Sequence, residues 1–317
     1  MFRVRHCHGP APATLPERAL ALVSAGADSA DGGSGTLGDA PGAWRLPLRG
    51  LGAPMHELWL ADEPVSRGME DTLSWSASGE VIMAQLRLEP PAGGLAQATE
   101  AAYRRLYGWL AQWGWAQPWR IWHYFPDITR RSAAGERYHD FVAGRERAFR
   151  ALGLCSEQYP AATAIGSHGT PFVLQLIAGR ARSQPLENPR QVSAYHYPRQ
   201  YAPAGPAFAR ARRVPQAGGG AQMLISGTAS IVGHHSRHAG DIAAQLGETC
   251  ANLDALLGGR EASAQALRVY LRDARQADAI RPHLRQAFGE HAPLWLLEGT
   301  ICRDELLVEV DGVWGGR

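Results

Sequence analysis

One order of strand and helix patterns occurs twice along the 317-residue chain, once on each side of a segment rich in proline and glycine. That segment covers residues 181–220, where scattered prolines and the glycine run 218–220 disfavour long regular elements. A pattern that recurs in this way predicts two copies of one small fold, joined by residues 181–220.

Each half shows an opening strand region, a helix, a strand, a second helix and a closing pair of strands. In the first half, these elements are predicted at DTLSWSASGEVIMAQLRLEP, residues 95–113, RIWHYFPDI, ERYHDFVAGRERAFRAL, PAATAIG and PFVLQLIAG. In the second half, they are predicted at QMLISGTASIVG, residues 239–257, LRVYLRD, residues 276–288, LWLLEGTIC and LLVEVDG. Two such βαβαβ-type units indicate two sheets, each covered by helices on one face.

We therefore predict an α+β fold made of two fused units. The first unit is expected over residues 1–180, the junction over 181–220 and the second unit over 221–317. Within the first unit, residues 22–43 are rich in glycine, alanine, serine and aspartate, which is the composition of a flexible surface loop.

Charge and composition argue against several kinds of protein. The 32 basic and 30 acidic residues give a net charge of +2 without a long run of like charge, so nucleic acid is not expected as a partner. No segment has the ~20 uninterrupted apolar residues of a membrane helix, and the first residues lack the apolar core of a signal peptide. The four cysteines are dispersed without CxxC spacing, so we expect free thiols in a cytoplasmic protein.

Glu309 lies in the otherwise apolar strand LLVEVDG, where the first half has an amide in FVLQLIAG. Side chains alternate along a strand, so Glu309 shares a face with Leu307, opposite Val308 and Val310. A carboxyl that loses its hydration has a raised pKa and can donate a proton near neutral pH. The alternative interpretation is a glutamate on an edge strand that points to solvent.

The junction combines phenol and guanidinium side chains in the segment Glu187–Ala211. Such groups can hold two carboxylates and orient a ring between them, whereas the alternative is a solvated linker with scattered aromatic residues. The side chains in question are those of Tyr195, Tyr197, Tyr201, Arg190, Arg199 and Arg210.

The motif SGTASIVGHHSRH places small residues, among them Gly227 and Ala229, at a strand end, where a ligand can approach the backbone closely. It also contains histidines 234, 235 and 238, but their spacing matches no usual zinc pattern and no carboxylate or thiol completes a ligand set. The GxSxG and GxxxxGK[ST] signatures are missing and no GxGxxG follows a strand pattern, so serine hydrolases, P-loop enzymes and dinucleotide-binding folds lack sequence support.

The sequence resembles the chorismatases in several blocks. The specific blocks are ENPRQVSAYHYP, PAFARA, MLISGTASIVGH, ETCANLDALL and ICRDELLVEVDG, and the looser ones are IWHYFPDI, ERYHDFVAGRERAF and PAATAIG. The resemblance covers the chain from about Trp44 onward. It implies two fused units of the RidA-like, or chorismate mutase-like, α+β type, of which the first is degenerate and the second is catalytic.

The resemblance also implies roles for individual residues. Glu309 matches the family's catalytic glutamate, and Cys302 matches a cysteine typical of the hydroxybenzoate-forming members, although a buried filler is the alternative for Cys302. We expect Arg210 to hold a substrate carboxylate, with Tyr195, Tyr201 and Arg145 as companions and Gly227 and Ala229 beside the substrate. No metal or organic cofactor is expected.

The implied reaction converts chorismate to pyruvate and 3-hydroxybenzoate, with 4-hydroxybenzoate as an accompanying product. One alternative is hydrolysis of chorismate to a non-aromatic dihydrodiol. Others are a non-catalytic or deaminase-like RidA relative that binds metabolites and a pteridine-dependent oxygenase, which would need an iron site. For the assembly, we expect a monomer with an internal repeat or a small homo-oligomer.

Overall fold

The computed structural model describes residues 1–9, 11–26, 40–89, 94–115, 117–132, 135–169, 171–198, 205–260 and 262–316. Within these ranges, the α-helices are α1 (Leu95–Gln112), α2 (Arg137–Ala151), α3 (Ile242–Leu257) and α4 (Ala277–Phe288). The strands are β1 (Phe2–His8), β2 (Ala19–Gly26), β3 (Ala43–Gly50), β4 (Met55–Ala61), β5 (Ser66–Glu70), β6 (Leu73–Ser78), β7 (Val81–Leu88), β8 (Pro118–Pro126), β9 (Arg131–Ser132), β10 (Gly135–Glu136), β11 (Ala161–Ser167), β12 (Phe172–Gly179), β13 (Gln184–Leu186), β14 (Ala211–Pro215), β15 (Ala221–Ala229), β16 (Ile231–Val232), β17 (His235–Ser236), β18 (Ala262–Leu271), β19 (Leu294–Glu298) and β20 (Val308–Gly316).

Two large sheets contain the repeated units. The first is six-stranded with the order β5-β6-β7-β12-β8-β11. The second is ten-stranded, and six of its strands, in the order β13-β14-β15-β20-β18-β19, repeat the order of the first sheet. In both copies, the pair at the end of this order, β8 with β11 and β18 with β19, is parallel. The predicted α+β class with two fused units is confirmed.

The helices begin and end where local chemistry allows. Helix α3 starts at Ile242, three residues later than predicted, because the Asp241 side chain caps it by accepting a hydrogen bond from the Ala244 amide. It ends at Gly258, whose left-handed backbone favours glycine. Helix α1 presents its buried residues at helical spacing, which is the pattern that predicted it.

The N-terminal strands correct the predicted division of the chain. Residues 1–180 were expected to form one unit, but β1 to β4 extend the ten-stranded sheet, because β3 pairs with β19 through Gly50 and Leu297. This pairing satisfies the backbone of β19, which would otherwise be an open sheet edge. The sheet of the first unit therefore consists of strands from Ser66 to Gly179.

The loop expected at residues 22–43 is also shorter than predicted. Residues 22–26 complete β2 and Ala43 begins β3, and these two strands pair in parallel with Leu22 opposite Ala43. Backbone pairing and the burial of Leu22 outweigh the turn-like composition at this end. Residues 27–39 of the expected loop lie outside the described residues.

The two sheets pack face to face, with the helices on their outer faces. One apolar cluster joins residues of both sheets, such as Trp122 and Ile177 with Leu224 and Tyr270, while separate clusters lie between each sheet and its own helices. The layer between the sheets also contains buried charged side chains, including that of Arg120. These side chains lie beside the site described next. Among the described residues, no helix is both long and apolar enough to cross a membrane.

Candidate active site

A cavity of about 260 Å³ lies between the start of α2, the junction and the strand ends of the second unit. Its size suits a small metabolite. Its wall contains positively charged, negatively charged and apolar side chains. The lining residues are Arg131, Glu136, Tyr138 and His139 from the first unit, Gln191, Tyr197, Pro206, Phe208 and Arg210 from the junction, and Gly227, Ala229, Ile231, Cys302, Arg303, Asp304, Glu305, Leu306 and Glu309 from the second unit.

Glu309 contributes a buried carboxyl to this wall. Its strand, β20, is apolar on the other face, and only 5% of the glutamate is exposed. Burial raises the pKa of Glu309 to about 8, the carboxylate of Asp311 acts in the same direction, and the guanidinium groups of Arg120 and Arg210 act against them. At neutral pH, the carboxyl is therefore mostly protonated and can donate a proton.

Gly227 makes room for the Glu309 carboxyl. A Cβ atom built at Gly227 would overlap Oε1 of Glu309, so a larger residue at this position would displace the acid. The approach depends on a bulge in β15, where the pairing with β20 shifts between Ile225 and Thr228 and then places Ala229 opposite Glu309. The small residues of SGTAS therefore lie against the acid as well as against the cavity.

Arg210 presents a guanidinium group held on the junction side of the cavity. Its Nη2 donates to the hydroxyl of Tyr197 at 2.7 Å and to the carbonyl of Val192 at 3.0 Å. The guanidinium carbon lies 5.2 Å from the ring centre of Phe208. These contacts fix the direction of the guanidinium, which can then hold a carboxylate through charge-assisted hydrogen bonds.

Cys302 lies where the two units meet, in contact with the apolar clusters of both. Burial raises the pKa of its thiol to about 12, and the nearby Glu309 adds to this effect. The thiol is therefore neutral at physiological pH and forms a small, weakly polar part of the wall rather than a thiolate nucleophile.

The structure brings together most of the residues singled out from the sequence. The same cavity is lined by five of them: Glu309, Cys302, Arg210, Gly227 and Ala229.

Tyr195 and Arg145 do not line the cavity. The short 3₁₀ helix Ala194–His196 turns the Tyr195 ring toward Tyr159, and Tyr197 lies on the wall instead. Arg145 is buried behind Phe208, with its guanidinium carbon 5.8 Å from that ring centre. Tyr201 lies outside the described residues.

Sequence reasoning missed several residues of the wall and its support. Tyr138 and His139 come from the motif ERYHDFVAGRERAF, in which only Arg145 was singled out, and Arg303 directly follows Cys302. Arg120 and Thr163 lie behind the wall on β8 and β11 of the first unit. Their strands read as ordinary core strands, so only the packing of the two sheets reveals that they reach the second unit.

The histidines of the second unit are spread over different contacts. His238 contacts Glu248 through Nε2 at 3.2 Å, while the rings of His234 and His235 lie 4.0 Å apart. Across the parts of the chain that the structure describes, no group of three or more histidine, cysteine, aspartate or glutamate side chains is placed to hold a metal ion.

Comparison with known proteins agrees with this geometry. A family model described as the N-terminal part of FkbO/Hyg5-like chorismatases matches residues 57–178. A 3-hydroxybenzoate synthase from Streptomyces hygroscopicus is 36% identical over 82% of this chain and 81% of its own length. A chorismatase from Streptomyces rapamycinicus is 32% identical over 81% of each chain. A chorismatase crystal structure is 28% identical, covers 99% of this chain and 98% of its own, and superposes with a TM-score of 0.86. The chain belongs to the chorismatase family.

Proposed function

We propose that this enzyme converts chorismate to pyruvate and 3-hydroxybenzoate, with Glu309 as the proton donor. The observation that carries this proposal is a buried carboxyl on the wall of a small cavity that a fixed guanidinium also lines. The relative named 3-hydroxybenzoate synthase supports the choice of product.

The proposed reaction needs a proton donor and a binding site for an anion. Chorismate carries an enol ether, and transfer of the Glu309 proton to its methylene carbon would create an oxocarbenium ion. The 4-hydroxyl of the ring then attacks the neighbouring carbon, the bond to the pyruvyl oxygen breaks and pyruvate leaves. The hydroxyl proton can return to Glu309, and the resulting epoxide opens with loss of a ring proton to give the aromatic product. No water is consumed, whereas the dihydrodiol route adds one water molecule.

We assign Arg210 and Tyr197 to the binding of a substrate carboxylate. Arg210 supplies a permanent positive charge, and Tyr197 both orients it and lines the cavity. Tyr197 takes the place that the sequence pattern gave to Tyr195. Arg145 acts only indirectly in this assignment, by supporting Phe208 from behind.

We assign Cys302 to the choice between products. A neutral thiol among apolar side chains holds an attacking water molecule weakly, so the hydroxyl of the substrate itself is the nearer nucleophile. This favours the aromatic product over the dihydrodiol.

The proposal is tested by incubating the purified protein with chorismate and separating the products by chromatography, with an independent assay for pyruvate. We expect one pyruvate for each hydroxybenzoate formed, with 3-hydroxybenzoate as the main product and 4-hydroxybenzoate as a minor companion. Dihydrodiol as the main product would refute the assigned subtype. No pyruvate release from folded protein would favour a metabolite-binding role instead.

We further place the enzyme in the cytoplasm, because its four cysteines are free thiols. The internal repeat already provides the contact between two units that forms the cavity, so we propose that a single chain forms a complete site. Sedimentation of the active protein tests whether a larger assembly is present.

A further inference from the structure

Asp311 is a second buried carboxylate on the strand that carries Glu309. The two residues are separated by one position on β20, so their side chains leave the same face of the sheet. Asp311 is 1% exposed. Its Oδ2 accepts hydrogen bonds from the Tyr270 hydroxyl at 2.9 Å and the Thr163 hydroxyl at 2.8 Å, and it lies 2.9 Å from Nη2 of Arg120.

Two of these partners come from the first unit. Arg120 lies on β8 and Thr163 on β11, and the Arg120 guanidinium also donates to the Thr163 hydroxyl at 2.7 Å. The same arginine donates to the carbonyl of Ile225. The Thr163 hydroxyl accepts a hydrogen bond from the backbone amide of Gly227 at 2.9 Å. The first unit therefore holds β20, which carries Glu309, and β15, whose bulge makes room for the Glu309 carboxyl.

This arrangement distinguishes the two carboxyl groups. Asp311 has a cation and two hydroxyl donors, which stabilise its charged form. No hydrogen bond to the Glu309 carboxyl is found among the described residues, so its charged form lacks this stabilisation. A carboxyl that has lost its hydration beside an ion-paired carboxylate resists ionisation, so Glu309 keeps its proton.

We propose that Asp311, held by Arg120 and Thr163 of the first unit, is a positioning residue that keeps Glu309 protonated for catalysis. The inference deepens the proposed function and rests on the role of Glu309 in it. The raised pKa of Glu309 agrees with this assignment, because Asp311 is its largest electrostatic cause after burial.

The other groups around Glu309 do not replace Asp311 in this role. Arg120 from β8 and Arg210 from the junction lower the pKa of Glu309. Cys302 and Tyr138 have pKa values raised by burial and are neutral at physiological pH. When a substrate carboxylate pairs with Arg210, the opposing effect of that arginine weakens, and the influence of Asp311 grows.

The first experiment measures the pH dependence of kcat/KM for wild type and Asp311→Asn. In wild type, kcat/KM should fall above about pH 8, because the essential acid loses its proton. Asparagine keeps an oxygen acceptor but removes the charge, so the pKa of Glu309 should fall and the alkaline limb should move down by about 1 pH unit or more. For a shift of about 1 unit, kcat/KM should then be about fivefold lower than in wild type at pH 8 and about tenfold lower above about pH 9.

Tyr270→Phe is the matched control, because it removes a hydrogen bond to the same oxygen and leaves the charge in place. Its alkaline limb should stay where it is in wild type. An Asp311→Asn variant that folds, has the thermal stability of the control and keeps the wild-type alkaline limb would overturn the proposal.

A second measurement needs no change at Asp311 and no turnover. Infrared difference spectra of wild type and Glu309→Gln at pH 7 report which carboxyl carries a proton. We expect a protonated-carboxyl band that disappears in Glu309→Gln. Persistence of that band would show that Glu309 does not carry this proton and contradict the inference, whether or not the protein acts on chorismate.

Discussion

The two units share an order of strands, but one pair of facing positions on neighbouring strands carries different side chains in the two copies. In the first unit, β12 carries Gln175, which donates to the Gln85 side chain on β7 at 2.8 Å. In the second unit, the corresponding pair on β20 and β15 is Glu309 and Ala229. The long amides fill the first position with a closed hydrogen bond, whereas alanine leaves space that exposes the carboxyl to a cavity. One fold thus forms a packed support in one copy and an open site in the other.

The first unit is nevertheless more than inert packing. Arg120 crosses the layer between the sheets to Asp311 of the second unit, and Arg268 of the second unit donates to the hydroxyl of Tyr124 on β8 of the first unit. Buried pairs of this kind constrain how two surfaces fit, because an unpaired partner would be costly. The degenerate copy therefore helps to fix the geometry of the catalytic one.

Glu309→Gln should have the largest effect, because it gives the second unit the amide that the first unit has. We expect turnover to fall by about 10²- to 10⁴-fold, since a positioned proton donor is lost while the strand can still pair. Pyruvate release measures the effect, and Glu298→Gln on β19, whose side chain pairs with Arg49 instead, is the matched control. Near-normal turnover by folded Glu309→Gln would remove the proposed difference between the units.

Gly227→Ala tests whether the space beside the acid is essential. The added Cβ would overlap the Glu309 carboxyl and move it, so kcat should fall by about 10²-fold while the sheet stays folded. Gly247→Ala on α3 is the control, because a Cβ at that position meets no atom within 4 Å. Equal activities of the two variants would show that the close approach at Gly227 has no role.

Arg210→Lys tests the guanidinium group that the junction contributes to the cavity of the second unit. Lysine keeps the charge but loses the planar fork, so KM for chorismate should rise about tenfold with a smaller change in kcat. Arg213→Lys, on the exposed side of the adjoining strand β14, should leave KM unchanged. If both variants keep the wild-type KM, Arg210 does not contact the substrate carboxylate.

Cys302→Ala should have the smallest effect on rate, because the thiol takes no part in proton transfer. We expect the loss of the sulfur atom to admit water beside the substrate and to divert part of the flux to the dihydrodiol. Chromatography of the products measures the ratio, with wild type as the reference. An unaltered product ratio would show that Cys302, at the boundary between the units, does not decide which product forms.

Much of the repeated part of the fold was predictable, because most of its helices and strands are visible in short stretches of sequence. The apolar spacing of α1 and the alternation in β20 depend only on neighbouring residues. The joining of β3 to β19 could not be predicted in this way, because it links Gly50 to Leu297 and depends on which sheet edge is open.

The candidate site was predictable to a similar extent. The carboxyl in an apolar strand, the small residues beside it and the arginine of PAFARA were identified from the sequence, and the structure places all of them on one cavity. The choice of Tyr197 over Tyr195 depends on a single 3₁₀ turn, which composition does not reveal. Arg120 and Thr163 stand on strands that look like ordinary core, so their contacts with Asp311 and Gly227 stay hidden until the sheets are packed.

The sequence by itself determined the repeat and the order of its elements and singled out Glu309, because periodicity and polarity act within a few residues along the chain. Only the tertiary structure decided that β1 to β4 extend the second sheet and that the first unit holds the strands around the acid. The physical reason is that these features arise from pairing and burial between residues far apart in the sequence, such as Arg120 and Asp311, and local patterns contain no information about such distant partners.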